Sequence, residues 1–150
     1  MSHVTATLCP ITDIDCLKRV VAKTGLKWME GQETYTFFGR FLDDWGKGNE
    51  HRTARARGVD PSQYGKCEHA IRVPGGSYEI GVTKRQDGEG YSLVWDVWRG
   101  DHINKAIGKD GEILMASYNE EYISSYAQAN GYMLQEEVNS DGNLVMTLLQ

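Results

Sequence analysis

The sequence lacks any apolar run close to the roughly 18 residues that a membrane-spanning helix needs. Its first residues, MSHVT, show no basic segment followed by an apolar one, so they do not have the form of a secretory signal. Cysteine is scarce, with only Cys9, Cys16 and Cys67. Their odd number does not suggest a set of disulfides, and their spacing is not that of metal ligands. We therefore expect a reduced, cytoplasmic protein that has no membrane partner, no metal and no other cofactor.

Positive charge is also in short supply. The 16 lysine and arginine residues face 21 acidic ones, which gives a net charge of −5 and an isoelectric point near 5.3. Such a molecule is not expected to bind nucleic acid through its overall charge. The 150 residues, of which 40% are hydrophobic, are enough for one globular domain with a hydrophobic core.

Strand and helix periodicities are both present, and no internal repeat or low-complexity stretch is evident. Three strand patterns in the middle of the chain are joined by glycine-containing turns, which predicts an antiparallel meander. The segment GDHINKAIGKDG that follows them is predicted to be a loop. Together the patterns predict an α+β fold, a mainly antiparallel sheet with two helices packed on one face. The predicted strands are 2–9, 33–41, CEHAIRV, SYEIGVTK, YSLVWDVW, YMLQEEV and NLVMTLL, and the predicted helices run from Thr12 to Gly25 and over 113–130.

One segment breaks these patterns and predicts an inserted loop at about 43–66 within a single domain, 1–150. Between 47 and 66 there are five basic and two acidic residues, a charge of +3, whereas the rest of the chain carries −8. Three of the basic residues are Arg52, Arg55 and Arg57, whose guanidinium groups suit phosphate or carboxylate oxygens. The loop is either a solvated surface segment or an intramolecular partner for the acidic remainder of the chain, or else it contacts an anionic ligand or a partner.

The strand YSLVWDVWRG raises a question, because it places Asp96 in a strongly apolar pattern. Alternation puts Tyr91, Leu93, Trp95 and Val97 on the face beneath the helices and Asp96 with Trp98 on the other. An unpaired buried carboxylate is costly, so Asp96 needs a partner. That partner is either a protein group, such as a strand arginine or loop amides, or a planar ligand that stacks on Trp98 near Arg72 or Arg99.

Two further groups of residues could carry chemistry. Cys67 and His69 lie on one side of a predicted strand, and this pattern is typical either of core residues or of half of a metal site. Asp101 and His102 are the best candidate acid–base pair, since a histidine oriented by an acid can transfer protons near neutral pH. No nucleophile motif accompanies them, so no catalytic residue is assigned.

A stripe of tyrosines, Tyr118, Tyr122 and Tyr126, follows the spacing of one helix face. The stripe predicts core packing with hydroxyl groups at the rim. Its alternative role is stacking against a base or ring.

The two ends of the chain resemble a known family. MSHVT with a strand and a helix ending at Gly25, and then GYSLVWDVW, Tyr118, AQANGY, EEV and DGNLVMTLL, are similar to the uncharacterised ycf-thirty-five family of cyanobacteria and algal plastids. The resemblance covers about two thirds of the chain and leaves residues 43–66 as an addition, which a phage-borne relative could carry. It implies the fold and no catalytic residues.

These observations predict a non-enzymatic protein that binds a small anionic ligand, with a nucleotide or cyclic nucleotide as the expected class. Sequestration of a signalling nucleotide, as by a phage sponge protein, fits this description. The predicted ligand-binding residues are Arg52, Arg55, Arg57, Asp96, Trp98, Arg99 and His102. The alternatives are a protein–protein adaptor and a small phosphodiesterase or hydrolase that uses Asp101 and His102. Homo-oligomerisation is left open.

Overall fold

A computed structural model describes residues 4–7, 10–37, 63–96 and 101–150. Within these residues the elements are β1 (Val4–Ala6), α1 (Ile14–Lys23), β2 (Lys27–Met29), β3 (His69–Arg72), β4 (Glu79–Lys84), β5 (Tyr91–Asp96), α2 (Asp101–Ile107), α3 (Glu112–Ala129), β6 (Met133–Val138) and β7 (Leu144–Leu149). One sheet of five strands has the order β1-β5-β4-β3-β2, in which all neighbours are antiparallel, and β6 pairs with β7 in a second sheet. The predicted α+β class with a mainly antiparallel sheet is confirmed.

The N-cap of helix α1 lies one residue later than predicted. Asp13, and not Thr12, is the N-cap, and its carboxylate accepts a hydrogen bond from the Cys16 amide at 3.0 Å. The hydroxyl oxygen of Tyr118 accepts from the Thr12 and Asp13 amides at 3.1 and 3.0 Å. The last turn ends at Gly25, whose φ of 78° is the left-handed conformation that glycine adopts without strain. A tyrosine from α3 therefore satisfies the amides at the start of α1.

The main core lies between the helices and one face of the five-stranded sheet. Leu93 and Trp95 of β5 are completely buried there, as the alternation of the strand predicted. Their neighbours from β3 and β4 are Ile71, Ile80 and Val82, and the helices cover them with Leu17, Val21, Ile103, Ile107, Leu114 and Tyr118. Burial of this apolar surface is the main source of stability.

The segment predicted to be a loop after β5 contains helix α2, so that prediction is wrong. Ile103 and Ile107 lie one helical turn apart and are both completely buried. Two apolar residues between glycines are too few to show a helical period in the sequence, and packing against the sheet supplies the stability that this short helix lacks alone.

The tyrosine stripe on α3 is only partly in the core. Tyr118 is buried, whereas Tyr122 and Tyr126 are among the exposed large side chains. Helix α3 covers the sheet with its first half, so the later turns extend beyond the core. The prediction of a helix over 113–130 is confirmed, and the prediction of core packing holds for Tyr118 alone.

The structure describes only the last four residues of the predicted insertion. Residues 63–66 belong to the described fold, where the side chain of Tyr64 packs against a second cluster of buried residues and Lys66 forms a β-bridge with Thr34. The sequence of this segment gives no sign of these contacts, because Tyr64 is a single apolar side chain among polar and glycine residues. The rest of the predicted insertion lies outside the described residues. No helix in the described part of the chain is long and apolar enough to cross a membrane.

Candidate functional site

The face of the large sheet opposite the helices, here called the second face, is covered by an extended segment. Ala6, Ala70 and Val94 lie on this face and are buried beneath Tyr35. The Tyr35 ring lies directly on the backbone of Gly81, where a Cβ atom would overlap the ring carbons. Glycine at position 81 therefore admits an aromatic cover that any larger residue would displace.

The covering segment is held by backbone pairing with residues 63–67. The Tyr35 amide donates to the carbonyl of Gly65 at 3.0 Å, and the Cys67 amide donates to the carbonyl of Glu33 at 2.8 Å. The predicted strand 33–41 is thus an extended stretch with one bridge, as far as the structure describes it.

A buried carboxylate fastens the same segment to the sheet. Glu79 accepts hydrogen bonds from the amide and the hydroxyl of Thr36, both at 2.9 Å, and from the Gln32 side-chain amide at 3.1 Å. Arg72 forms an ion pair with it at 2.9 Å. Burial by itself would raise the pKa of Glu79, but the bonds from Arg72, Gln32 and Thr36 outweigh it and lower the pKa below the usual value.

A cleft of about 190 Å³ opens where residues 63–68 cross the edge of the second face; we call it the second-face cleft. Its polar lining includes two lysines, Lys66 and Lys84, and two glutamines, Gln63 and Gln86, against one acidic residue, Glu68. Neither lysine forms an ion pair with a residue of the described ranges. The complete lining is Tyr35, Gln63, Tyr64, Lys66, Cys67, Glu68, Thr83, Lys84, Gln86 and Val94.

The hydroxyl of Tyr35 is buried at this site. Burial raises the pKa of Tyr35 well above its usual value, and the backbone amide of Gly65 opposes this shift only in part. The phenol is therefore neutral at physiological pH and keeps a proton that it can donate.

Cys67 lines the cleft as a protonated thiol. Burial raises its pKa to about 12, and its Sγ donates to the carbonyl of Gln32 at 3.1 Å. The thiolate is the nucleophilic form, so this cysteine is not an activated nucleophile near pH 7.

We expect Cys67 in the folded protein to react with iodoacetamide at pH 8 roughly a thousand-fold more slowly than glutathione, because an ordinary thiol has a pKa of about 8.5 and is about one quarter thiolate at that pH, whereas a thiol with a pKa of about 12 has about one thiolate in 10,000. The rate is measured by mass spectrometry of the Cys67 peptide. Protein unfolded in urea is the control and should react at the ordinary rate. A folded-state rate close to that of glutathione would contradict the raised pKa.

Asp96 is completely buried on the second face and is not part of the lining of the cleft. It pairs through its backbone with Val4 of β1, and it contributes, less than burial does, to the raised pKa of Tyr35. The question raised by the sequence is answered in part: Asp96 lies in the interior. Its predicted role in ligand binding stays a prediction.

His102 packs against the turn between β3 and β4. Its Nε2 lies 3.3 Å from the carbonyl oxygen of Tyr78, and its ring occupies the space beside Gly76. The second-face cleft does not include it. The other predicted site residues, Arg52, Arg55, Arg57, Trp98 and Arg99, lie outside the described residues.

Cys67 and His69 lie in different surroundings and do not form one site. Cys67 belongs to the cluster on the second face, whereas the His69 ring lies 5.1 Å from that of Trp28 and accepts from the Gly31 amide at 2.9 Å. No group of three or more potential metal-ligating side chains occurs in the described ranges. Cys16 and Cys67 are free thiols, and Cys9 lies outside these ranges.

Sequence reasoning did not identify most of the cleft. Lys66 was counted within the basic segment, but nothing in the sequence connects it with Lys84 or Gln86, eighteen and more residues away. The antiparallel pairing of β3 with β4 brings these residues to one edge.

Comparisons of the chain with protein-family models, curated proteins and solved structures find no match. The resemblance to the ycf-thirty-five family and to a phage-borne relative therefore stays a prediction.

Proposed function

We propose that this protein binds a small anionic ligand in the second-face cleft, with a nucleotide or cyclic nucleotide as the expected class, and holds it without converting it. The observation that carries the proposal is the pair of lysines, Lys66 and Lys84, on a cleft whose wall also contains Tyr35 and Tyr64. Ammonium groups attract phosphate oxygens, and aromatic rings suit a planar base.

The size of the cleft limits what it can enclose. Pockets for drug-sized molecules have volumes of about 300–1,000 Å³. At about 190 Å³ the second-face cleft suits a phosphate or a single ring, so the rest of a nucleotide would need further contacts. Arg57, the last of the three arginines of the basic segment, is six residues before Gln63, a stretch of chain that can reach about 20 Å.

Binding without chemistry is favoured by the state of the groups around the cleft. The Cys67 thiol is protonated near neutral pH, and His102 is placed elsewhere, against the carbonyl of Tyr78. We include a cytoplasmic location in the proposal, since Cys16 and Cys67 are free thiols of the kind that a reducing compartment maintains.

Calorimetric titration with AMP, cyclic AMP and inorganic phosphate tests this function. We expect saturable binding of at least one nucleotide, and affinity that decreases as salt is added. Lys84→Gln and Lys66→Gln should each weaken binding by about three- to ten-fold, because an exposed charge-assisted contact contributes less than a buried one. Arg55→Gln tests the adjoining basic segment in the same way.

Lys109→Gln is the matched control, since Lys109 is exposed and is not part of the cleft lining. Equal affinity of the Lys84→Gln and control variants would remove the cleft from the proposal, and absence of binding to all three probes would contradict it. Chromatography of the nucleotide after incubation separates the classes of function, because a hydrolysed product would favour the phosphodiesterase alternative.

A further inference from the structure

The C-terminal hairpin, β6 and β7, forms a sheet of its own and exposes apolar side chains. The register pairs Leu134 with Leu148, Glu136 with Met146, and Val138 with Leu144, so these six residues share one face. We call it the hairpin face. Val138, Leu144 and Leu148 are 70%, 47% and 38% exposed. Two strands alone are marginally stable, and an apolar face of this kind commonly marks an interaction site.

The charge around the hairpin face has one sign. From Asp110 to Gln150 the sequence has seven acidic residues and no lysine, arginine or histidine. Glu136 lies in the middle of the hairpin face, and Glu137 and Asp141 lie on the same hairpin. An occupant that buries this face must bring its own positive charge, because a buried unpaired carboxylate is strongly destabilising.

This requirement argues against a second copy packed face to face. Both copies would bury Glu136, and neither hairpin has a base to neutralise it. The face is also too small for such a dimer, because it has six residues, whereas a stable interface uses about 20–30 residues on each partner. A short segment of another protein fits these dimensions.

We propose that the hairpin face docks a short basic polypeptide segment, whose apolar side chains contact Val138, Leu144 and Leu148 and whose lysine or arginine pairs with Glu136. This interaction is separate from the second-face cleft. It uses a surface with no residue in common with that cleft.

Fluorescence anisotropy with the full chain tests the proposal. The probe is a short labelled peptide of alternating leucine and lysine, compared with peptides in which glutamate replaces lysine or serine replaces leucine. We expect the leucine–lysine peptide to bind at least about ten-fold more tightly than either comparison peptide. Glu136→Gln and Val138→Ser should each weaken it by about five-fold or more. Both side chains are exposed, so the melting temperature should change little.

Glu89→Gln is the matched control, an exposed acid in the turn between β4 and β5 that should not affect peptide binding. Equal affinity for the lysine and glutamate peptides, or unchanged affinity in Glu136→Gln and Val138→Ser, would overturn the proposal, as would no binding of any peptide. Light scattering measures whether the full chain forms a dimer. A dimer that dissociates in the Val138→Ser variant would show that a second copy covers the hairpin face, and this result would also overturn the proposal.

Discussion

Replacing Glu79 by alanine is expected to lower the free energy of unfolding by about 3 kcal/mol. The carboxylate accepts bonds from Thr36, Gln32 and Arg72, and it is nearly inaccessible to solvent. Alanine would leave the Thr36 amide without this acceptor and would release the segment that covers the second face. For a chain of this length we expect a fall in melting temperature of about 6–12 °C.

Glu89→Ala is the control for removal of a carboxylate at an exposed site, and its melting temperature should stay close to that of the wild type. Glu79→Gln should cost less than Glu79→Ala, because the amide oxygen still accepts hydrogen bonds. If Glu79→Ala has the same melting temperature as the Glu89→Ala control, the covering segment does not depend on the Glu79 carboxylate.

The effect of Glu79 should also depend on pH. The pKa of Glu79 is lowered in the folded protein, so the ionised form stabilises the fold at pH above its ordinary value of about 4.3 and this contribution is lost as the pH falls toward the folded-state value. The difference in melting temperature between wild type and Glu79→Gln should therefore be largest near pH 7 and shrink below about pH 4. A difference that grows on acidification would show that the sign of the pKa shift is wrong.

Replacing Gly81 by valine is expected to destabilise the protein by about 2–3 kcal/mol. Strand propensity alone predicts the opposite sign, because valine is favoured over glycine in strands by up to about 1 kcal/mol. The Tyr35 ring, however, occupies the space that a Cβ at position 81 needs. Thermal and urea unfolding of the variant decide between the local preference and the tertiary contact.

A double-mutant cycle isolates that contact. Tyr35→Ala alone should cost about 3 kcal/mol by opening a cavity, and in its background Gly81→Val should cost at least about 1 kcal/mol less than in the wild type. Thr83→Val is the control, since Thr83 lies on the same strand and the same face without meeting Tyr35 in this way. Additive effects of Tyr35→Ala and Gly81→Val would show that the ring is not what requires glycine at position 81.

The helix-facing core could be predicted from the sequence, but the candidate site could not. Alternation along β5 placed Leu93 and Trp95 correctly, because a strand with one strongly apolar face repeats every two residues. The second face is covered by isolated side chains such as Tyr35 and Tyr64, which have no period of their own. Residues that act singly, from distant parts of the chain, leave no local signal.

By itself the sequence determined the α+β class, the central meander, the long helix α3 and the C-terminal hairpin. Each of these has a local cause: a hydrophobic period, a glycine turn or a cap. Tertiary structure alone decided that Ile103 and Ile107 lie on a helix, α2, and that the Tyr118 hydroxyl binds the amides just before α1. It further decided that Lys66 and Lys84 line the same cleft. It also decided that the hairpin stays apart from the main sheet and keeps its apolar face exposed. The physical reason is that a period in the sequence records which side of an element is apolar, whereas the partner of that side depends on packing between segments far apart in the chain.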